Sequence, residues 1–246
     1  MTLTHAPAAS DEARVPRTGW SRVLDAARVQ YLGRAVLVWP WAVLASALAI
    51  NLVVFALIDT DDPTTGGLAS LYVVALIVAI QTVSQFLPFS LGLGVTRRAF
   101  YAAATLGALG QALVYGIGLT VLLAIEDATG GWGLTLHFFG VDFVVTDDPF
   151  SQVLVYAAPF LLVSAAGLLW GAVAKRWGSS GIFLGLIASA LLVGGLVVLL
   201  GQVDAWSAVA DFLGDSPALL SIGLPSLVGG VLLGAAGYLV VRRTPA

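Results

Sequence analysis

A chain of 246 residues that is 59% apolar and only 10% charged lacks the wetted surface of a soluble domain, which carries about 25% charged residues. The absence of cysteine excludes disulfides, thiolate metal sites and thiol nucleophiles. The net charge of −3 says little as a sum, and the placement of the charges says more.

The expected fold class is an all-α integral membrane protein. Residues 1–18 are polar and rich in Pro and Ala, and read as a disordered leader. Residues 19–34 differ. Trp20, Val23, Leu24, Ala27 and Tyr31 recur at helical spacing, with Arg22, Asp25 and Arg28 away from that stripe. This predicts an amphipathic helix lying on the membrane interface before the first span.

A hydrocarbon core about 30 Å thick is crossed by roughly 20 apolar residues in a helix. Six uncharged stretches qualify: 35–58, 68–89, 99–125, 153–174, 181–200 and 219–241. The first begins too late and runs too long for a signal peptide. Pro159 and Pro225 are expected to kink the fourth and sixth spans.

Orientation follows from charge. Lys and Arg occur only as Arg14, Arg17, Arg22, Arg28 and Arg34 in the leader, Arg97 and Arg98, Lys175 and Arg176, and Arg242 and Arg243. With six spans these segments share one side. The other loops hold Asp59, Asp61, Asp62, Glu126, Asp127, Asp142, Asp147, Asp148, Asp204, Asp211 and Asp215, but no Lys or Arg. Cytoplasmic loops accumulate Lys and Arg, so both termini are expected inside, in a bacterial inner membrane.

Between the second and third spans, Gly92 and Gly94 permit a tight reversal and Thr96 is a candidate N-cap. Arg97 and Arg98 then stand at a helix N-terminus, where the dipole disfavours cations by about 0.3–1 kcal/mol each. Topology and anionic headgroups or an acidic cytoplasmic partner would each favour them there. Lys175, Arg176, Arg242 and Arg243 fall at helix C-termini and need no such explanation.

The polar residues inside the spans are uncharged. Gln81 and Gln85 are four apart and share a face; with Asn51 and Gln111 they either line a translocation path or lock helix packing by hydrogen bonds. The pairs Gly167/Gly171, Gly181/Gly185 and Gly230/Gly234 suit close helix packing within the subunit. The outer segment 126–150 is too apolar for a wet linker and is expected to cap the spans or dip into headgroups; its acids are accounted for by charge asymmetry across the membrane. No P-loop, no H-E-x-x-H and no nucleophile–base grouping occurs. No catalytic role, cofactor, metal or nucleic-acid partner is expected, and the lack of a charged residue inside the spans argues against proton coupling.

The segments PFSLGLGVTRRAFY and EDATGGWGLTLHFF, with the leader helix and six spans, resemble small actinobacterial permease subunits of type-2 ATP-binding-cassette exporters. The resemblance implies an ATP-driven exporter in which a separate cytoplasmic ATPase contacts Gly92, Gly94, Val95, Thr96, Arg97 and Arg98, aided by the leader helix. It also implies a second permease subunit, identical or paralogous. The short loop between spans five and six departs from larger members, so no extracellular lid is implied. The spans' lack of fixed charge points to an amphipathic or apolar substrate. A stand-alone secondary transporter and a non-transporting scaffold or immunity component are the competing readings.

Overall fold

A computed structural model describes residues 34–58 and 64–244. The leader 1–18 and the expected interfacial helix 19–34 lie outside these residues, except for Arg34. The described residues are mostly helical, without a strand. The chain runs through α1 (Arg34–Leu57), α2 (Ala69–Gln81), a π-helical turn (Thr82–Phe86), α3 (Leu87–Gly92) and α4 (Arg97–Ala128). It continues through a turn at Gly131–Thr135, α5 (Pro149–Gln202), α6 (Trp206–Asp215), a second π-helical turn (Leu219–Gly223) and α7 (Leu224–Arg242).

Among the described residues, five helices are long and apolar enough to cross a membrane: Val38–Leu57, Ala69–Gly92, Arg97–Ala128, Pro149–Gln202 and Leu219–Arg242. The stretches 153–174 and 181–200 both fall within α5. That 54-residue element is not one rod, because Gly178 has φ 63° and ψ −149°. A Cβ on Gly185 would lie 2.8 Å from the Trp170 ring, whereas residues 15 apart in a straight helix are about 22 Å apart. The chain therefore doubles back at Gly178, where only glycine adopts the required dihedrals without strain.

Pro159 sits inside α5. Pro225 is the second residue of α7, but the chain is already helical from Leu219, so its missing N–H falls inside a continuous helix. The irregularity in the last span is the π-helical turn just before it, where a proline inside a helix disturbs the hydrogen-bond ladder. The loop between the fifth and sixth apolar stretches holds α6, a ten-residue helix with no buried residue.

Glycines set the tightest contacts. Gly167 faces the main chain of α2 so closely that a Cβ there would stand 2.7 Å from the Leu76 carbonyl oxygen, and one on Gly171 2.7 Å from that of Ile80. The α2–α5 contact is thus backbone against backbone, the close approach small residues permit. Gly230 and Gly237 pack likewise on Leu161–Leu162 and Leu169.

Two large buried clusters form most of the core, beside a small one at Ala99 and Ala103. One joins Leu71, Tyr115, Leu119, Phe138, Phe139, Tyr156 and Phe160. The other joins Val83, Leu87, Phe100, Tyr101, Leu168, Ala172 and Val241. Outside them the helices are ringed with exposed apolar side chains, Leu192 at 72% and Val231 at 72% among them. Soluble proteins avoid contiguous apolar surface on this scale. The described chain has the surface of a membrane protein.

Candidate functional site

Charge is segregated along the helix axes. Tyr101, one turn into α4, lies 5.7 Å from Tyr238 near the end of α7, and its hydroxyl donates to the Gly234 carbonyl at 2.7 Å. Val241 shares a cluster with Phe100, Leu168 and Ala172. The start of α4, the reversal at Gly178 and the end of α7 therefore meet at one end of the bundle. Arg97, Arg98, Lys175, Arg176, Arg242 and Arg243 all belong to that end. The described carboxylates belong to segments 126–148 and 204–215. These two segments meet at the opposite end, where Asp142, Asp147 and Asp215 line one open groove of about 390 Å³.

At the cationic end, residues 90–99 form a compact turn. Gly94 takes φ 80° and makes the reversal, while Gly92 is the last helical residue of α3. Val95 N–H donates to the Ser90 carbonyl at 3.0 Å, and its side chain packs on the Phe100–Val241 cluster. Thr96 is extended, and its hydroxyl oxygen accepts from Ala99 N–H at 3.2 Å, as an N-cap does. Arg98 is exposed and Arg97 partly buried, with its Nε enclosed and without a hydrogen-bond partner among the described residues. Arg176 lies 4.6 Å over the Trp177 ring, a cation–π contact next to the reversal.

The intramembrane amides do not converge. Asn51 Nδ2 donates to the Ala47 carbonyl of its own helix at 2.8 Å. Gln81 and Gln85 are both exposed on the outside of the bundle. Gln111 is buried, 8% exposed, and faces Thr82 and Ser164.

The most elaborate polar arrangement lies at the acidic end, around Glu126. It completes the buried face Ala112, Tyr115, Leu119, Leu123 of α4 and is only 1% exposed. Its Oε1 accepts from Gly140 N–H at 2.8 Å and Phe139 N–H at 3.1 Å. Its Oε2 accepts from the N–H groups of Phe138 and Phe139, both at 3.1 Å, and from Trp132 Nε1 at 3.0 Å. One carboxylate thus gathers three successive main-chain donors and an indole, the concave arrangement of N–H groups that suits an anion.

Around that clasp the segment 130–140 folds into a cap. Gly130, Gly131, Trp132, Gly133 and Thr135 all have positive φ, and a Cβ at Gly131 would overlap the main chain of Leu136. Trp132 and Thr135 hold left-handed conformations that cost about 1–3 kcal/mol each, which the Trp132–Glu126 bond helps offset. Tyr156 hydroxyl donates to the Phe139 carbonyl at 2.8 Å, and Tyr72 hydroxyl to the Tyr156 carbonyl at 3.2 Å. Gln152 accepts from Thr146 N–H at 2.7 Å and donates to the Val144 carbonyl at 3.2 Å. The acids of this segment thus divide. Glu126 is structural, while Asp148 caps α5 by accepting from Ser151 Oγ at 2.7 Å and Ser151 N–H at 2.8 Å. Those bonds, the hydroxyl's first, hold the Asp148 carboxyl below the usual carboxylate range.

Sequence reasoning placed Glu126 among acids explained by charge asymmetry alone. Its register on the buried stripe of α4 was the available signal, together with a carboxylate in the last turn of a helix, where the dipole disfavours it.

No family model, no curated protein and no solved structure matches this chain.

Proposed function

We propose that the chain is the membrane-spanning permease subunit of an ATP-driven transporter of the type-2 ATP-binding-cassette exporter kind. It crosses the cell membrane six times, with both termini in the cytoplasm. The reversal at Gly178 supports the count, since α5 at about 1.5 Å per residue is far too long for one crossing and folds into a hairpin of two. The segregation of charge along the helices supports the orientation through the positive-inside rule.

The observation that carries the reading is the Gly92–Arg98 turn. It joins α3 to α4 at the cationic end, presents Arg98 to solvent, and is fastened by Val95 and Phe100 to the core shared with α5 and α7. A partner pressing on this turn moves a packed core rather than a loose loop. An ATPase with an acidic surface offsets the unfavourable dipole at Arg97 and Arg98. The partner supplies the power, and the spans supply selectivity for an amphipathic or apolar substrate.

The outward amides Gln81 and Gln85 support a second permease subunit. Polar groups at membrane depth face protein or a water-filled cavity rather than lipid, so their face suits a path between two copies. The experiment is co-purification from the native host. A tagged chain brings down a P-loop ATPase if the reading holds, and its consistent absence removes the reading.

A further inference from the structure

Midway along the bundle, α2, α4 and α5 line a small, partly open cavity of about 10 Å³. Its apolar walls include Ala104, Ala108 and Leu168, but it also receives three polar side chains: Thr82 from the π-helical turn that follows α2, Gln111 from α4 and Ser164 from α5. All are deeply buried, at 6%, 8% and 3% exposure. The Thr82 hydroxyl donates to the Val78 carbonyl at 2.8 Å, so its oxygen has only acceptor capacity left. The side-chain amide of Gln111 and the hydroxyl of Ser164 make no hydrogen bond to a protein group among the described residues. Buried polar groups are seldom left in that state, least of all in a segment surrounded by hydrocarbon.

We propose that this cavity is a built hydration site holding one ordered water molecule that joins α2, α4 and α5. Size and chemistry agree. The volume is about that needed for a single water, and such waters make about three hydrogen bonds to otherwise unpaired groups. The water donates to Thr82 Oγ1 and to one further oxygen, and accepts from Gln111 Nε2 or Ser164 Oγ. Larger ligands do not fit, and the site offers no charge to hold an ion. The water sits where α2 passes into the π-helical turn Thr82–Phe86, an irregularity that often marks a working part of a helix. It therefore ties the one break in that span to its two neighbours. This inference does not depend on the transport reading.

Two measurements test it on the full-length protein in a lipid nanodisc. A density map fine enough to show ordered solvent should contain one peak within hydrogen-bond reach of the Gln111 amide and Ser164 Oγ. An empty cavity, or a direct Gln111–Ser164 bond closing it, overturns the proposal. Gln111→Met and Ser164→Ala should each lower Tm by about 2–4 °C, and the double variant should lose clearly less than their sum, because both act on the same water. A rise in Tm for Gln111→Met, as expected for removing an unsatisfied amide from a dry cavity, or strict additivity, contradicts it.

Discussion

The Glu126 carboxylate accepts from Gly140 N–H at 2.8 Å, tying the C-terminal end of α4 to a main chain 14 residues further on. Removing that carboxylate leaves three main-chain N–H groups and an indole N–H without their acceptor in a buried site. Each unsatisfied donor costs about 1–3 kcal/mol before relaxation. Glu126→Ala should therefore destabilise the protein by at least about 3 kcal/mol, read from reversible unfolding in mixed micelles. Glu126→Gln keeps the shape but turns an NH₂ toward donors, and should lose about half as much. A loss under about 1 kcal/mol for the alanine variant shows that the cap does not rest on this residue.

The glycine contacts predict a graded response. Gly171→Val drives a side chain against the Ile80 carbonyl and Val83, and overpacking of this kind costs about 1–3 kcal/mol or more. Gly194→Ala meets nothing within 4 Å and should be neutral or slightly stabilising, since alanine favours the helix by about 1 kcal/mol. Thermal melts of the two variants side by side check the order.

Asp148 gives a pH dependence with a definite sign. Its carboxyl titrates below its ordinary value of 3.8 when folded, so its contribution is present above that value and is lost as pH falls through the lower, folded one. The protection factor of the Ser151 amide, its exchange rate corrected for the intrinsic pH dependence, should fall in that acid window and stay constant at neutral pH. Asp148→Asn retains a capping oxygen and should abolish this acid step.

Under the proposed function, Arg97→Glu with Arg98→Glu should weaken association with a co-purifying ATPase while membrane insertion and yield remain normal. Quantitative pull-down against the unaltered chain checks it. Equal recovery of the ATPase removes the assigned contact.

Much of the fold was legible in the sequence because lipid imposes a simple rule: about 20 apolar residues per crossing, with cations at alternate ends. The polar break Lys175–Ser180 announced the reversal that Gly178 makes. Thr96 was legible as a cap because capping is local chemistry. The Glu126 clasp was not, because its acceptor role depends on three N–H groups brought close by a tertiary fold with several left-handed residues. Nor was the facing of the amides. Spacing alone places Gln81 beside Gln85, but only packing decides that both turn outward while Gln111 turns in. The helix Trp206–Asp215 was missed because its segment was read as a short loop.

The absence of cysteine makes the decisive measurement direct. Single substitutions Arg98→Cys, Lys175→Cys, Asp147→Cys and Asp211→Cys are labelled in intact cells with a membrane-impermeant maleimide, before and after permeabilisation. Positions 147 and 211 should label in intact cells, and positions 98 and 175 only after permeabilisation. Labelling of 98 and 147 from the same side contradicts the crossing of α4 and the orientation on which the proposed function rests.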